Sequence, residues 1–468
     1  MSIAVSCAAS RSAPTLIKKF IKRIFSLGTR SAPKAVAVAV AKHGIRRDAL
    51  SNGSRRTCEG LHQAGFEAYV VGGAVRDLLL GHEPKDFDVA TNAPPEEVHR
   101  LFRRSRLIGR RFKIVHVMFG GETVEVSTFR AGDASHTDEH GRVLRDNVFG
   151  TREEDAARRD FTVNALYYDP STETILDLHN GLRDLKHKSV RIIGDPRARF
   201  REDPIRMLRA ARFAAKLDFT IDAKTLEPIG DMADLIGNVP AARVFDEMLK
   251  LLLSGHARPT VVGLRKAGLH HGLLPMLDVI LEQPMGEKFV MLALDQTDQR
   301  VQAGKPVSPA FLFAALLWHE VLAEWKKSQH EGHKPLPALH LAMDKVLDTQ
   351  TAKLAIPRRY TIMIKEIWSM QPRLEQRSGR RPFALLTNEK FRAGFDFLVL
   401  RAMSGECPKE LAGWWERFQS ASPDDQAAML RPQEQGEKRP RRRRRRREGE
   451  AESTAHAGDR QPPSSDQE

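Results

Sequence analysis

Between residues 57 and 195 the apolar and polar positions alternate in short runs. Segments 67–71, 86–90, 113–119 and 123–129 carry the period-two pattern of half-buried strands. Gly120-Gly121 separates the last two, which predicts a hairpin. Segments 164–168 and 174–178 read as further strands. Pro94-Pro95 followed by Glu96-Glu97 predicts a helix start with acids in its first turn. Residues 131–150 sustain no apolar period and read as a loop. Beyond about residue 195 the period becomes helical, over 204–217, 241–253, 309–324, 338–347 and 380–403. The expected fold class is α+β, a mixed-sheet domain followed by an all-helical C-terminal half. No solenoid-type repeat is present.

The two ends differ from this middle. Residues 1–50 read as a basic, disordered arm. Within it, Leu16, Phe20 and Ile24, with Ile17, Ile21 and Phe25, form the apolar stripe of a short basic amphipathic helix over 15–25. That segment suits a membrane surface, RNA or an organellar transit peptide, or is simply a poorly ordered arm. Residues 431–468 shift to Gln, Glu, Pro and Arg and read as a disordered tail.

Charge sharpens the contrast. The net charge of the 468 residues is +15, and the excess sits at the ends. Residues 1–47 hold basic side chains and no acid, and 438–447 read KRPRRRRRRR. The chain between them is slightly acidic. Such arms suit a polyanion, either nucleic acid or an anionic membrane. The three cysteines, Cys7, Cys58 and Cys407, are far apart in sequence, which excludes a disulfide framework or a CxxC zinc site and fits a reducing compartment. No run of about 20 apolar residues is present to span a membrane.

Five segments carry candidate chemistry. Val70-Val-Gly-Gly-Ala-Val-Arg-Asp runs an apolar strand into Gly72-Gly73 and then a helix. Two glycines let backbone approach a ligand, and Arg76 lies where it can reach a phosphate. In Lys85-Asp-Phe-Asp-Val, strand alternation puts Asp86 and Asp88 on one face and Phe87 and Val89 on the other. Two carboxylates on one face repel unless a cation neutralises them, and oxygen ligands suit Mg²⁺ or Mn²⁺. Glu125, on the strand Thr123-Val-Glu-Val-Ser, becomes a third ligand if that strand neighbours the first; otherwise it is an exposed side chain. Ala157-Arg-Arg-Asp-Phe-Thr-Val-Asn sets Arg158 and Asp160 beside apolar Phe161, as a phosphate site or a surface ion-pair cluster. In Arg201-Glu-Asp-Pro-Ile-Arg-Met-Leu-Arg, Asp203 and Pro204 read as N-cap and first helical residue, with Arg206 and Arg209 on one face. A carboxylate and an arginine there suit a base edge, and a capped helix with a solvated basic stripe is the alternative. Trp414-Trp415 reads as core rather than as a stacking platform.

Together these segments resemble the bacterial poly(A) polymerases of the class II nucleotidyltransferase superfamily, which also holds the tRNA CCA-adding enzymes. The resemblance covers about residues 57–420. It rests on Gly72, Gly73, Arg76 and Asp77, on Asp86 and Asp88, on RRDFTVNAL and on EDPIRMLRAARFA. It implies a polymerase-beta-like catalytic domain over 57–195, a helical nucleotide- and RNA-binding neck over 196–260 and a helical RNA-binding body over 261–420. Asp86 and Asp88 then hold catalytic metal. Arg158, Asp160 and Asn164 lie along the ribose and triphosphate. Glu202, Asp203 and Arg206 read the incoming base, with Arg209 beside them. For the third essential carboxylate, Asp160 matches the family and Glu125 competes with it. The implied reaction transfers AMP from ATP to RNA 3′ ends.

Two features favour the polymerase branch over CCA addition, which stands as the alternative. The stretch Leu107-Ile-Gly-Arg-Arg-Phe-Lys-Ile-Val-His-Val resembles that branch, and so does the Arg-rich tail. Many CCA enzymes of this type carry a metal-dependent phosphohydrolase domain; here Trp318-His319-Glu320 lacks the His-Asp pair, His319 reads as a helix-surface residue, and no second metal site is expected. The expected protein is a cytoplasmic monomer with RNA-decay proteins as partners; residues 15–25 match no family motif, and their basic amphipathic pattern suits peripheral contact with the inner membrane.

Overall fold

The structure is a computed structural model and describes residues 35–109, 113–131, 149–269 and 284–430. A mixed eight-stranded sheet organises the first part. Its strands are β1 (Val36–Ala39), β2 (Ala68–Val71), β3 (Asp88–Thr91), β4 (Ser105–Ile108), β5 (Ile114–Phe119), β6 (Glu122–Thr128), β7 (Leu166–Asp169) and β8 (Thr174–Asp177). Their spatial order is β1-β8-β7-β2-β3-β6-β5-β4. Only β3 and β6 run parallel; every other neighbouring pair is antiparallel.

Strand alternation splits the side chains between two layers. Val70, Val89, Val115 and Val126 join one core with α1 (Asn52–Gln63), α2 (Gly73–Leu79) and α3 (Pro95–Leu101). Tyr69, Val71, Phe129 and Tyr167 form a smaller cluster on the other face with Ala156 of α4 (Arg152–Arg158). The larger core continues into the helices without a break. Next come α5 (Gly181–Lys186), α6 (Pro196–Glu202), α7 (Ile205–Leu217) and α8 (Ala241–Leu252). The body follows with α9 (Ala257–Lys266), α10 (Pro284–Gln302), α11 (Pro309–His330), α12 (Pro335–Leu354), α13 (Arg358–Leu374), α14 (Phe391–Ser404) and α15 (Lys409–Ser420). Residues Leu312–Trp318 of α11 are all buried, so the first half of this helix is apolar all round and lies inside the body.

The mixed sheet and the helical second half agree with the hydrophobic pattern. Several details do not. The arm expected over 1–50 is shorter, because Val36–Ala39 pairs with β8 and Ile45 and Leu50 are buried. The valine-alanine alternation there is a strand signal. The amphipathic segment 15–25 and the tail 431–468 lie outside the described residues. The strand expected at 86–90 begins only at Asp88. The strand expected at 164–168 begins at Leu166, after a 3-10 turn over Thr162–Asn164. Strand β4 carries no alternation and was not expected. The helix expected over 380–403 breaks into Arg381–Leu386 and Phe391–Ser404. His319 is not on a helix surface: its side chain is 12% exposed, with Nε2 3.6 Å from Glu406 and its ring edge-on to Phe289. Enclosure of α11 leaves it no solvent face. Trp414 and Trp415 are buried, as expected of core, and the Trp415 indole donates to the Leu374 carbonyl at 2.7 Å.

One buried carboxylate holds the 3-10 turn in place. Asp184 of α5 accepts from Thr162 Oγ1 at 2.8 Å and from Arg191 Nε at 3.0 Å. Asp184→Ala leaves the buried Thr162 hydroxyl without its acceptor and Arg191 with Asp222 as its remaining carboxylate partner. It should lower the unfolding free energy by about 3 kcal/mol, measured by urea titration. A midpoint equal to wild type would show that the turn is held by its apolar neighbours instead.

Candidate active site

Strand β2 ends at Val71, and Gly72 then takes φ of 73° as the N-cap of α2. That left-handed backbone favours glycine. A Cβ at Gly72 would stand 3.4 Å from Arg159 Nη1, so the turn also brings backbone close to a buried guanidinium. From α2, Arg76 turns inward and is 3% exposed. Asp77 accepts from its Nε at 2.8 Å, and Asn164 Oδ1 accepts from its Nη1 at 2.6 Å. Asn164 Nδ2 in turn donates to Asp160 Oδ1 at 3.2 Å. Asp160 also accepts the Phe161 amide at 2.7 Å and pairs through Oδ2 with Arg209 at 2.6 Å. Burial opposes the Asp160 charge, but Arg209, Asn164 and the Phe161 amide outweigh it and hold the carboxyl below its ordinary pKa.

The neck helices supply the opposite wall. Asp203 and Pro204 break α6 from α7. Asp203 does not cap α7, as the sequence suggested; Pro204 holds that position. The Asp203 carboxylate instead reaches Arg243 of α8 through Oδ2, at 3.0 Å. Its Oδ1 is buried on the cleft with no hydrogen-bond partner among the described residues. Glu202 Oε2 accepts from Arg206 at 2.8 Å and from Arg199 at 2.6 Å. Burial opposes its charge too, yet Arg206 and Arg199 keep its pKa below the usual value. Arg206 is 9% exposed, so the solvated-stripe reading fails for it. Arg199 Nη2 donates to the carbonyls of Arg158 and Arg159, which ties the neck to the catalytic domain.

These elements enclose a cleft of about 390 Å³. Of the residues singled out in the sequence, Gly72, Gly73, Arg76, Asp88, Arg158, Asp160, Asn164, Asp203, Arg206 and Arg209 line it. Asp77 and Glu202 stand behind Arg76 and Arg206 and orient them. Arg159, Phe213, Arg199 and Arg243 were missed. Phe213 lies seven residues after Arg206, on the same helix face, a signal that was available. Arg243 is too distant in sequence from Asp203 to be found by spacing.

The acidic side is looser. Phe87 and Val89 pack into the core, so Asp86 and Asp88 both face outward. Asp88 is the Cα partner of Glu125 on the parallel strand β6, which meets the condition for Glu125 to join it. Both line a second cavity of about 250 Å³ that shares Asp88, Arg158 and Arg159 with the cleft. Asp86 lines a separate cavity of about 860 Å³. The set Asp86, Asp88 and Glu125 is therefore not closed into a metal cage: among the described residues no three acidic, imidazole or thiol groups are placed to hold an ion alone. The surrounding protein, then Glu125 and Asp86, push the Asp88 pKa up to about 6 against the pull of Arg159. Clustered carboxylates that still lack a compensating charge fit a divalent cation that takes its remaining ligands from substrate.

Comparison with known proteins agrees with this geometry. The family described as "Poly A polymerase head domain" matches residues 68–191. "Probable RNA and SrmB- binding site of polymerase A" matches 218–281, and "Polymerase A arginine-rich C-terminus" matches 331–448. Poly(A) polymerase I of Salmonella typhi is 43% identical over 436 residues, covering 89% of this chain and 94% of that protein. The Haemophilus influenzae enzyme is 43% identical over 420 residues, covering 87% and 92%. A Lactobacillus helveticus CCA-adding enzyme is also 43% identical, but over 198 residues, 42% of this chain and 49% of that one. Among solved structures, the Bacillus stearothermophilus CCA-adding enzyme in complex with CTP aligns with TM-score 0.54 at 25% identity, covering 79% of this chain and 82% of that one. Fold and cleft together define a nucleotidyltransferase of the class that contains the CCA-adding enzymes. The match over nearly the whole length decides within that class: the chain belongs to the bacterial poly(A) polymerase family.

The raised Asp88 pKa has a measurable consequence. As pH rises from the unfolded value of about 4 to the folded value of about 6, ionisation of Asp88 progressively disfavours the folded state, and the full penalty stands at pH 7. Without divalent metal, Asp88→Asn should therefore raise the thermal midpoint at pH 7. The advantage should fade below about pH 4, where Asp88 is protonated in both states. A pH series of thermal melts in chelator tests this, and a variant less stable at pH 7 would contradict the repulsion.

Proposed function

We propose that the chain adds AMP from ATP to RNA 3′ ends, with release of pyrophosphate and without a template. The observation that carries the base choice is Asp203 Oδ1, a buried acceptor on the cleft beside the donor Arg206. An adenine edge offers an amino donor next to a ring-nitrogen acceptor, which satisfies both. In the pose that adenine takes, guanine O6 and uracil O4 stand where the adenine amino group donates and leave Asp203 unpaired. Cytosine offers the same pattern as adenine, so the choice between them rests on the pocket keeping its shape. Arg199, Glu202 and Arg243 supply that restraint.

Arg76, Arg158, Arg159 and the Gly72-Gly73 turn bind the triphosphate, and Asn164 and Asp160 orient the ribose side of the cleft. Asp86, Asp88 and Glu125 hold divalent metal, Mg²⁺ or Mn²⁺, together with the substrate phosphates. When bound, the metal supplies Lewis-acid activation of the attacking hydroxyl and of the departing pyrophosphate. Asp160, already committed to Arg209, acts as a positioning residue. The neck and body, with the Arg-rich tail, bind RNA chiefly through phosphates. The same reading places the protein in the cytoplasm as a monomer, working with RNA-decay proteins, with residues 15–25 resting on an anionic membrane. CCA addition remains the second reading, because Asp203 and Arg206 suit cytosine as well.

Purified protein with a short RNA, Mg²⁺ and each NTP separately tests the assignment. Long tails with ATP alone are expected, whereas a three-nucleotide CCA addition would overturn it. Asp88→Asn should cut the rate by several orders of magnitude, since metal-assisted chemistry is lost. In the same assay Arg206→Ala should raise incorporation of the other nucleotides relative to ATP. Unchanged relative incorporation would remove Arg206 from base reading.

A further inference from the structure

The stretch 107–117 is used by nothing in the reaction so far. It contributes to the hairpin of β4 and β5, at the edge of the sheet that also carries Asp88. Register places its side chains. Asp88 is paired with Glu125, Glu125 with His116, and His116 with Arg106. Directly opposed residues in a sheet share a face, so the four side chains form one row across β3, β6, β5 and β4. Contact supports the register, with His116 Nε2 3.8 Å from Glu125 Oε2. At strand spacings of roughly 4.8 Å, Arg106 lies about 14 Å from Asp88, a span that a terminal nucleotide or two covers.

Among the described residues this half of the face is open. Val115, Val117, Val124 and Val126 turn to the core, while His116, Glu125 and Arg106 remain accessible. The smaller core cluster covers this face from β8 across to Ala90 of β3, with Phe129 just past the end of β6, and includes no residue of β4 or β5. Among the described residues Asp155 and Arg158 of α4 border Glu125, while His116 and Arg106 farther along the row stay accessible. Arg104 also belongs here, since its carbonyl accepts the Met118 amide and it stands two residues before Arg106. The row thus runs from two carboxylates suited to metal, through an imidazole, to two arginines at the edge.

We propose that this open face seats the 3′-terminal nucleotides of the acceptor RNA, with His116 and Arg106 contacting its last phosphates. The inference rests on RNA being the acceptor, as in the proposed function. Two observations favour RNA as the occupant. The face is continuous with Asp88, where the attacking hydroxyl must arrive. Its charge also changes from acidic to basic along the row, so a strand whose hydroxyl lies at the metal end has its phosphates at the cationic end. The incoming nucleotide occupies the other side of Asp88, between Gly72 and Arg206. The two substrates then approach Asp88 from opposite sides.

The test is equilibrium binding of fluorescent oligoadenylates, a tetranucleotide and a long RNA, by anisotropy in Ca²⁺, with ATP binding measured alongside. The variants are Arg106→Ala, His116→Ala, their combination and Arg106→Lys. The double variant should weaken tetranucleotide binding about tenfold, the loss expected when charge-assisted phosphate bonds are removed. The factor should be the same for the long RNA, Arg106→Lys should recover part of it, and ATP affinity should not change. Tetranucleotide affinity equal to wild type would overturn the proposal, and so would a loss confined to the long RNA. An equal fall in ATP affinity would assign both residues to the nucleotide side and overturn it as well. Thermal melts of the variants, whose altered side chains lie on the open face, exclude misfolding as the cause. A wild-type chain that showed this binding pattern yet added no AMP would count against the proposed function and leave the acceptor face standing.

Discussion

Burying Asp160 with its charge is tolerable only because Arg209, Asn164 and the Phe161 amide surround it. An isolated carboxylate in that position would cost several kcal/mol. Its partners come from two parts of the molecule. Phe161 and Asn164 belong to the catalytic domain, and Arg209 to the first long helix of the neck. Satisfying one buried charge therefore fixes the angle between the sheet and α7, and with it the width of the cleft. Arg76 joins the same chain through Asn164, and the Arg199 bonds to two carbonyls brace it from the other side. The cationic wall is accordingly rigid before any substrate arrives, which limits the reorganisation required during reaction.

The acidic side obeys the opposite logic. Asp88 is left incompletely compensated, because burial, Glu125 and Asp86 outweigh Arg159, and the cost shows in its raised pKa. One wall is saturated with internal partners and the other is held short of them. In the proposed reaction a triphosphate with its metal would supply what each lacks: negative charge for the arginines and positive charge for the carboxylates. Phe213 adds an apolar surface among the cations, with Arg76, Arg209 and Arg212 all within 6 Å of its ring centroid by their guanidinium carbons.

The legible parts of the sequence were those whose placement is local. Gly72-Gly73 and the Arg158–Asn164 segment could be placed at the cleft because each is a run of near neighbours, whereas the Asp86–Asp88 alternation holds only from Asp88, where the strand begins, and Asp86 lines a separate cavity. The third carboxylate stayed open because it depends on whether β6 lies beside β3, a fact of register and not of spacing. The partner of Asp203 was hidden for the same reason. Arg243 lies on a separate helix, and local preference pulled Asp203 toward a capping role that the break at Pro204 does not use. The edge strands were missed or misassigned because they are short. Four residues of alternating Val and Ala look like an arm until β8 is there to pair with them. His319 misled in the other direction: a polar residue on a long helix suggests a wet face, but α11 has none at that level.

The parallel pairing of β3 and β6 bears on how the molecule forms. Strands that run parallel cannot be joined by a tight turn, so the chain leaves β3, builds α3 and the β4–β5 hairpin, and only then returns through β6. Asp88 and Glu125 meet only when that excursion has closed, and closure of a long loop precedes any reward from the contact. The two charges that repel in the finished protein are thus kept apart in the chain until local hairpin contacts can carry the penalty. The carboxylate pair is thus brought together by long-range closure, not by any turn within the sequence that carries it.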